Sequence, residues 1–199
     1  YHVTRWTQDD GLQPSTIHAI EETADGLLWI GTASDLIRFD GETFTPIRAT
    51  NRISGIRALE QARDGALWIG TSDRGLLRHT SGALQVVGEH ASLGEVGCLL
   101  EDSAGVLWVG GSAALGRVGA DGIEIVLPHA VHDLELDDDG VGWAATAAGV
   151  WKLEGPPRQL DTSGREVEFL TAGRAGTMWA IGASFVAAIR DERLDAVTS

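Results

Sequence analysis

The stretch IHAIEETADGLLWIGTASDLIRFD, Ile17 to Asp40, contains the pattern that decides the fold. Its centre, DGLLWIGT, returns four more times in altered form, each time with a tryptophan three residues after a glycine. The five tryptophans follow one another at intervals of 39, 40, 35 and 36 residues, at Trp29, Trp68, Trp108, Trp143 and Trp179. A regular period of this length is typical of repeat architectures, in which each period is one supersecondary unit.

Two more offsets hold in all five units. Twelve residues before each tryptophan stands a β-branched residue: Ile17, Ile56, Val96, Val131 and Val167. Nine residues before it stands an aliphatic one: Ile20, Leu59, Leu99, Leu134 and Leu170. The units therefore share one packing plan.

Each unit predicts four short antiparallel strands. The first starts at the β-branched residue, and an Asp-Gly type turn, in which glycine accepts a positive φ, leads to the strand that carries the tryptophan. A loop of small residues and two further strands complete the unit. Because four strands per ~35–40 residues are typical of propeller blades, the sequence predicts an all-β β-propeller with about five four-stranded blades.

The whole chain, residues 1–199, is predicted to be a single propeller region. A lead strand spans 1–16, and the blades span approximately 17–52, 53–94, 95–129, 130–164 and 165–199. The lead strand and the fourth strand of the fifth unit would compete for one place in a closed ring. The sequence thus favours part of a larger ring, for example of seven blades, and the alternative is a five-bladed ring whose lead strand packs elsewhere.

The amino-acid composition and net charge exclude some classes of function. The chain has 199 residues, of which 43% are hydrophobic and 22% charged, and this balance is that of a globular protein. With 29 acidic against 15 basic residues the net charge is −14, which argues against nucleic acid as a partner. A single cysteine, Cys98, excludes an internal disulfide.

The segment from Asp10 to Asp40, DGLQPSTIHAIEETADGLLWIGTASDLIRFD, resembles the two-component regulator propeller repeat, with its DGLP start and its GxLWIGTxxGLxRFD end. The second unit is equally close, whereas later units depart at Gly111, Ala145 and Gly182. The resemblance implies the periplasmic sensor region of a bacterial hybrid histidine kinase or diguanylate cyclase. It further implies a ligand-sensing, non-catalytic domain that binds a small molecule or oligosaccharide, with the membrane and output modules outside this chain.

A ligand site is predicted at one rim of the propeller. The position after each β-branched residue lies where the innermost strand begins, and it varies while its neighbours stay fixed. Together with the loops between the second and third strands, this position gives a predicted ligand-binding set of His18, Arg57, His132, Glu168, Asp35, Asp73 and Arg74. Arginine suits a carboxylate or sulfate, and the alternative is that these are solvated rim residues.

The other motifs are predicted to have structural roles, not catalytic or metal-binding ones. The repeated tryptophans are predicted to form the core between blades, and neither the run Asp137–Asp139 nor the pair His129 and His132 supplies a full metal-ligand set. No catalytic residue, metal or cofactor is predicted. Two other function classes stay open: a scaffold for protein interaction or homodimerisation through blade edges or rim, and a metal-dependent enzyme similar to streptogramin lyases, in which His18 or His132 would act.

Overall fold

A computed structural model describes residues 4–7, 10–12, 15–47, 53–80, 83–88, 90–162, 164–174, 176–190 and 193–197. In this part of the chain, five consecutive antiparallel sheets of four strands each form from consecutive segments. The only helix of the described residues is the single turn α1, His90–Leu93. No helix there is long and apolar enough to span a membrane.

The strands of each sheet follow chain order from the innermost to the outermost. The first sheet contains β1 (Ile17–Glu22), β2 (Leu28–Thr32), β3 (Leu36–Phe39) and β4 (Phe44–Pro46). The second contains β5 (Ile56–Gln61), β6 (Leu67–Thr71), β7 (Leu76–Thr80) and β8 (Ala83–Gly88). The third contains β9 (Val96–Glu101), β10 (Leu107–Gly111), β11 (Leu115–Gly119) and β12 (Gly122–Leu127). The fourth contains β13 (Val131–Leu136), β14 (Gly142–Thr146), β15 (Gly149–Lys152) and β16 (Arg158–Gln159). The fifth contains β17 (Phe169–Ala172), β18 (Met178–Gly182), β19 (Phe185–Arg190) and β20 (Arg193–Val197).

The glycine three residues before each tryptophan makes the first turn of every sheet. All five have φ between 72° and 82°, a conformation that side chains with a Cβ rarely adopt: Gly26, Gly65, Gly105, Gly140 and Gly176. The turn therefore explains why this glycine recurs. The predicted fold class, all-β with four-stranded propeller blades, is confirmed.

Each sheet has two different faces, which pack in one order along the chain. The leading face carries the β-branched residue, and the trailing face carries the tryptophan. Trp29 on the trailing face of the first sheet packs with Ile56 and Leu59 on the leading face of the second. The same arrangement forms the other three cores between neighbouring sheets.

Glycines on the trailing face make room for the β-branched residue of the next sheet. A Cβ on Gly70 would lie 2.7 Å from Cγ1 of Val96, and one on Gly110 would lie 2.8 Å from Cγ1 of Val131. Either contact is shorter than van der Waals distance. The WxG spacing therefore lets neighbouring sheets approach closely.

Glutamates of the innermost strands bond neighbouring sheets together. The carboxylate of Glu21 accepts the backbone N–H of Gln61 at 3.0 Å, and that of Glu60 accepts the N–H of Glu101 at 3.2 Å. Glu135 does the same for Ala172 at 3.1 Å. These bonds fix the position of each innermost strand along its neighbour in the next sheet.

The first and fifth sheets each leave one face without a neighbouring sheet. The innermost strands contact one another in the order β1, β5, β9, β13 and β17, and the described residues show no comparable contact between β17 and β1. Ile17 and Ile20 of the first leading face are 41% and 56% exposed, whereas the equivalent Ile56 and Leu59 are 0% and 8% exposed. The five sheets are thus consistent with part of a larger propeller.

The fifth trailing face also differs in its residues. Phe169 pairs with Ile181 across β17 and β18, where the first sheet pairs Ala19 with Gly31. Phe169 is 55% exposed, and Trp179 is only half-buried. Because the large Ile181 occupies the place of the glycine, this face lacks the small residue that receives the next sheet elsewhere.

The predicted lead strand does not form in its described part. Residues 4–7 and 10–12 carry no strand, and residues 1–3, 8–9 and 13–14 lie outside the described residues. Trp6 instead packs edge-on against Phe39 and Phe44, with ring centroids 5.1 and 6.0 Å away. The lead segment therefore covers the outer part of the first leading face and leaves Ile17 and Ile20 open.

Candidate functional site

One end of the sheets, called the rim below, gathers the two groups of predicted site residues. The loops between second and third strands donate backbone hydrogen bonds to the residues that precede the innermost strands. Bonds of this kind join Ala33 to Thr16 (3.2 Å), Ser72 to Gly55 (2.8 Å), Ser112 to Glu95 (2.8 Å) and Ala147 to Ala130 (2.9 Å). The loops and the starts of the innermost strands thus meet at the rim.

His18 and Arg57 form the clearest contact at the rim. They occupy equivalent positions on β1 and β5, both side chains are exposed, and Nη1 of Arg57 lies 3.5 Å from Nε2 of His18. Arginine can only donate, so Nε2 of His18 is the acceptor in this contact. The Arg57 side chain is exposed and makes no other hydrogen bond to the described residues, so its remaining donors can bind an anionic group.

His132 contacts an acidic residue outside the predicted site set. Its Nε2 lies 3.5 Å from Oε1 of Glu166, a residue that the sequence analysis did not select. Glu166 directly precedes the β-branched Val167, at the repeat position where the other sheets have Thr16, Gly55, Glu95 and Ala130. Glu168 is half-buried, and its backbone N–H donates to the carbonyl of Ile181 at 2.8 Å.

The three loop residues lie at the same rim. The backbone N–H of Asp35 donates to Oγ1 of Thr32 at 2.9 Å, and the N–H of Arg74 donates to Oγ1 of Thr71 at 3.0 Å. Oδ2 of Asp73 accepts the hydroxyl of Ser54 at 3.4 Å. A threonine at the end of the second strand thus orders each loop and sets where its charged side chains start.

The seven predicted residues share one rim but form separate contacts there. His18 touches Arg57, and His132 touches Glu166, 34 residues later in the chain. In the described ranges no three His, Cys, Asp or Glu side chains come together closely enough to hold a metal ion. The arrangement offers hydrogen-bond donors at the first two sheets and acceptors in the loops.

The acidic run has a structural role at its first residue. Oδ1 of Asp137 accepts the backbone N–H of Val141 at 2.9 Å, and Oδ2 accepts the indole N–H of Trp143 at 2.9 Å. Asp102 bonds Val106 and Trp108 in the same way, at 2.9 Å each. These aspartates hold the turn and satisfy a buried indole nitrogen.

Four of the five repeated tryptophans are buried, as the core prediction requires: Trp29, Trp68, Trp108 and Trp143. Their rings face the next sheet and are not available as sugar platforms. The exception, Trp179, lies on the uncovered fifth trailing face.

The fold and its repeated packing define a protein built of β-propeller blades. Three segments, residues 11–34, 51–73 and 92–113, match the family model described as two component regulator propeller. The predicted resemblance is confirmed for these three segments. No curated protein shows significant sequence similarity to it.

Solved structures with the same fold include the extracellular domain of a two component system and a lyase. The extracellular domain of a putative hybrid two component system from B. thetaiotaomicron is 20% identical with a TM-score of 0.67; the match covers 85% of this chain and 27% of that one. Virginiamycin B lyase from Staphylococcus aureus is 15% identical with a TM-score of 0.72, covering 94% of this chain and 71% of that one. At these identities the similarity shows the fold alone.

Proposed function

We propose that this chain is the ligand-sensing propeller region of a bacterial membrane signal-transduction receptor and is itself non-catalytic. The three two-component regulator propeller repeats carry this proposal. The similar extracellular domain of a hybrid two component system supports an extracytoplasmic, periplasmic location. The membrane and output modules would belong to the receptor outside this chain.

The rim is the proposed ligand site, with the pair His18 and Arg57 at its centre. A guanidinium with exposed donors beside an exposed imidazole suits a carboxylate or sulfate on a small molecule or oligosaccharide. The carboxylates of Asp35 and Asp73, on the loops of the same two sheets, would accept ligand hydroxyl groups. His132, Glu168 and Arg74 complete the proposed rim set.

A thermal-shift screen tests the rim site. The panel contains neutral oligosaccharides, sulfated glycans, uronic acids and small organic acids. A ligand at 100 times its Kd adds ~2.7 kcal/mol, which raises Tm by roughly 5–10 °C at this chain length. We expect a shift from an anionic class that Arg57→Ala removes.

The matched control is Arg174→Ala, because Arg174 is an exposed arginine on the β17–β18 turn, at the end opposite the rim. It should leave the shift unchanged. Equal loss in both variants, or a panel without any shift, would count against the rim site.

A second candidate function is an interaction scaffold, and the uncovered end faces favour it. Ile17 and Ile20 are exposed on the first leading face, and Phe169 and Val186 on the fifth trailing face. These apolar surfaces would pair with further blades or with a second copy of the chain, giving a homodimer. Analytical ultracentrifugation tests this: an Ile17→Glu variant should reduce association if the first leading face is an interface, and unchanged association would exclude that face.

The enzyme alternative has less support. The similarity to virginiamycin B lyase concerns the fold alone, and His132, one of the two histidines considered for such a role, faces Glu166. The proposal therefore keeps the chain non-catalytic. If the chain degraded a streptogramin in a metal-dependent reaction, and His132→Ala abolished that activity, the enzyme alternative would replace the sensor proposal.

A further inference from the structure

A cleft of about 480 Å³ opens between the first and second sheets, at the end opposite the rim. It is lined by the β1–β2 turn, by Trp29 and Arg38 of the first sheet, and by His79 of the second. Apolar side chains complete the wall: Leu27, Pro46, Ile47 and Leu67. This volume lies within the range of small-molecule sites, which are mostly apolar with a few fixed polar groups.

Two charged residues of the cleft recur in the second sheet, where they are already paired. There Asp64 and Arg78 form an ion pair of 2.6 Å, and the guanidinium lies over the ring of Trp68 at 5.5 Å. The equivalent first-sheet residues are Asp25, in the turn, and Arg38, the cross-strand neighbour of Trp29. The same two residue types thus have the same places in both sheets.

In the first sheet the equivalent side chains, Asp25 and Arg38, do not form an ion pair. Arg38 makes no hydrogen bond or ion pair to any described residue, whereas the other third-strand cations, Arg78, Arg117 and Lys152, are all ion-paired. Oδ1 of Asp25 accepts the hydroxyl of Thr23 at 2.6 Å and the N–H of Leu27 at 3.4 Å. Oδ2 of Asp25 is left for another donor.

His79 adds a polar group to a position that is apolar in the other sheets. Its equivalents in the strand register are Phe39, Val118, Leu153 and Ile189. The imidazole packs against Trp29 with ring centroids 5.1 Å apart, and burial lowers the pKa of His79. It is therefore neutral at pH 7 and offers one donor and one acceptor in the cleft wall.

We propose that this cleft binds a free α-amino acid with an apolar side chain. Arg38 would receive the carboxylate, Oδ2 of Asp25 would receive the ammonium group, and Leu27 and Ile47 would contact the side chain. In the second sheet Asp64 and Arg78 neutralise each other. In the first sheet the carboxylate of the amino acid would pair with Arg38, and its ammonium group would pair with Asp25. This cleft lies at the opposite end of the sheets from the rim, so the test of amino-acid binding does not depend on whether the rim binds a ligand.

Isothermal titration calorimetry with L-leucine and L-phenylalanine tests the site. The decisive probes are 4-methylpentanoate, which lacks the amine of leucine, and L-leucinamide, which lacks its carboxylate. Each should bind about tenfold more weakly than L-leucine, because one charged group of the cleft loses its charged partner. Equal affinity for L-leucine and 4-methylpentanoate would overturn the assignment.

Variants locate the site. Arg38→Gln should abolish leucine binding, and Asp25→Asn should remove the preference for L-leucine over 4-methylpentanoate. The matched control is Arg117→Gln, since Arg117 has the same strand position in the third sheet and lines a similar cleft of about 390 Å³, but is paired with Glu124 at 2.9 Å. It should bind leucine like the wild type, as should Arg57→Ala at the rim. Absence of heat with every amino acid, or binding that survives Arg38→Gln, would refute the proposal.

Discussion

The role of the β-branched residue can be measured because it occurs both covered and uncovered in the same molecule. Ile56 is fully buried against the trailing face of the first sheet, where it lies over Gly31. Ile56→Ala removes three buried carbon atoms, worth about 0.8 kcal/mol each in transfer free energy. Because the rigid glycine side of the junction cannot close the cavity, the total loss should reach about 3–4 kcal/mol.

Ile17→Ala is the matched variant, since Ile17 has the same repeat position but is 41% exposed on an uncovered face. It should cost about 1 kcal/mol or less, because much of the side chain already contacts water. Urea unfolding followed by tryptophan fluorescence gives both free energies. Equal costs for the two variants would refute the reasoning, because they would mean that another sheet or chain covers Ile17 in solution.

Three further predictions concern buried polar groups. Burial, aided by the charges of Glu21 and Glu101, raises the pKa of Glu60 to about 7 from its ordinary value of 4.5. The unfolded chain therefore releases this proton first, so stability should fall as pH rises from about 4.5 to about 7 and then level off, and Glu60→Gln should remove this part of the pH profile in urea titrations. Burial also raises the pKa of the half-buried Cys98 thiol to about 12, so a thiol-specific disulfide reagent at pH 8 should react with the native protein much more slowly than with the unfolded chain; equal rates would contradict this. Asp102→Ala leaves the buried indole N–H of Trp108 unpaired and should cost about 2 kcal/mol or more, whereas a loss below about 0.5 kcal/mol would show that water replaces the carboxylate.

Much of the site's location follows from repeat offsets, but its contacts do not. The position after the β-branched residue places His18 and Arg57 on adjacent strands, and the structure brings them to 3.5 Å. Glu166 was missed because it precedes its β-branched residue, whereas the prediction used the position that follows it. Its contact with His132 depends on how the fourth and fifth sheets pack. The glutamates that bond neighbouring sheets carried a usable signal, since Glu21, Glu60 and Glu135 all stand eight residues before a tryptophan.

The open charge pair of the first sheet could not be predicted in this way. Asp25 and Arg38 look like Asp64 and Arg78 in the sequence, yet only the second pair closes. The two junctions also differ in the residue opposite the tryptophan, since His79 packs against Trp29 and Val118 lies in the cluster of Trp68. The repeat shows which residues are equivalent and does not show which of their contacts form.

The sequence by itself determined the unit of this protein: a turn that needs glycine, a strand with a tryptophan, and a small residue that lets the next sheet approach. These are local requirements of backbone conformation and volume, so the glycine and the tryptophan repeat in all five copies and the small residue in the first four. Burial was decided only by the tertiary structure, because it belongs to a pair of neighbouring sheets. Ile17 and Ile56 are the same residue at the same offset, but one has no sheet against it and the other has no contact with water.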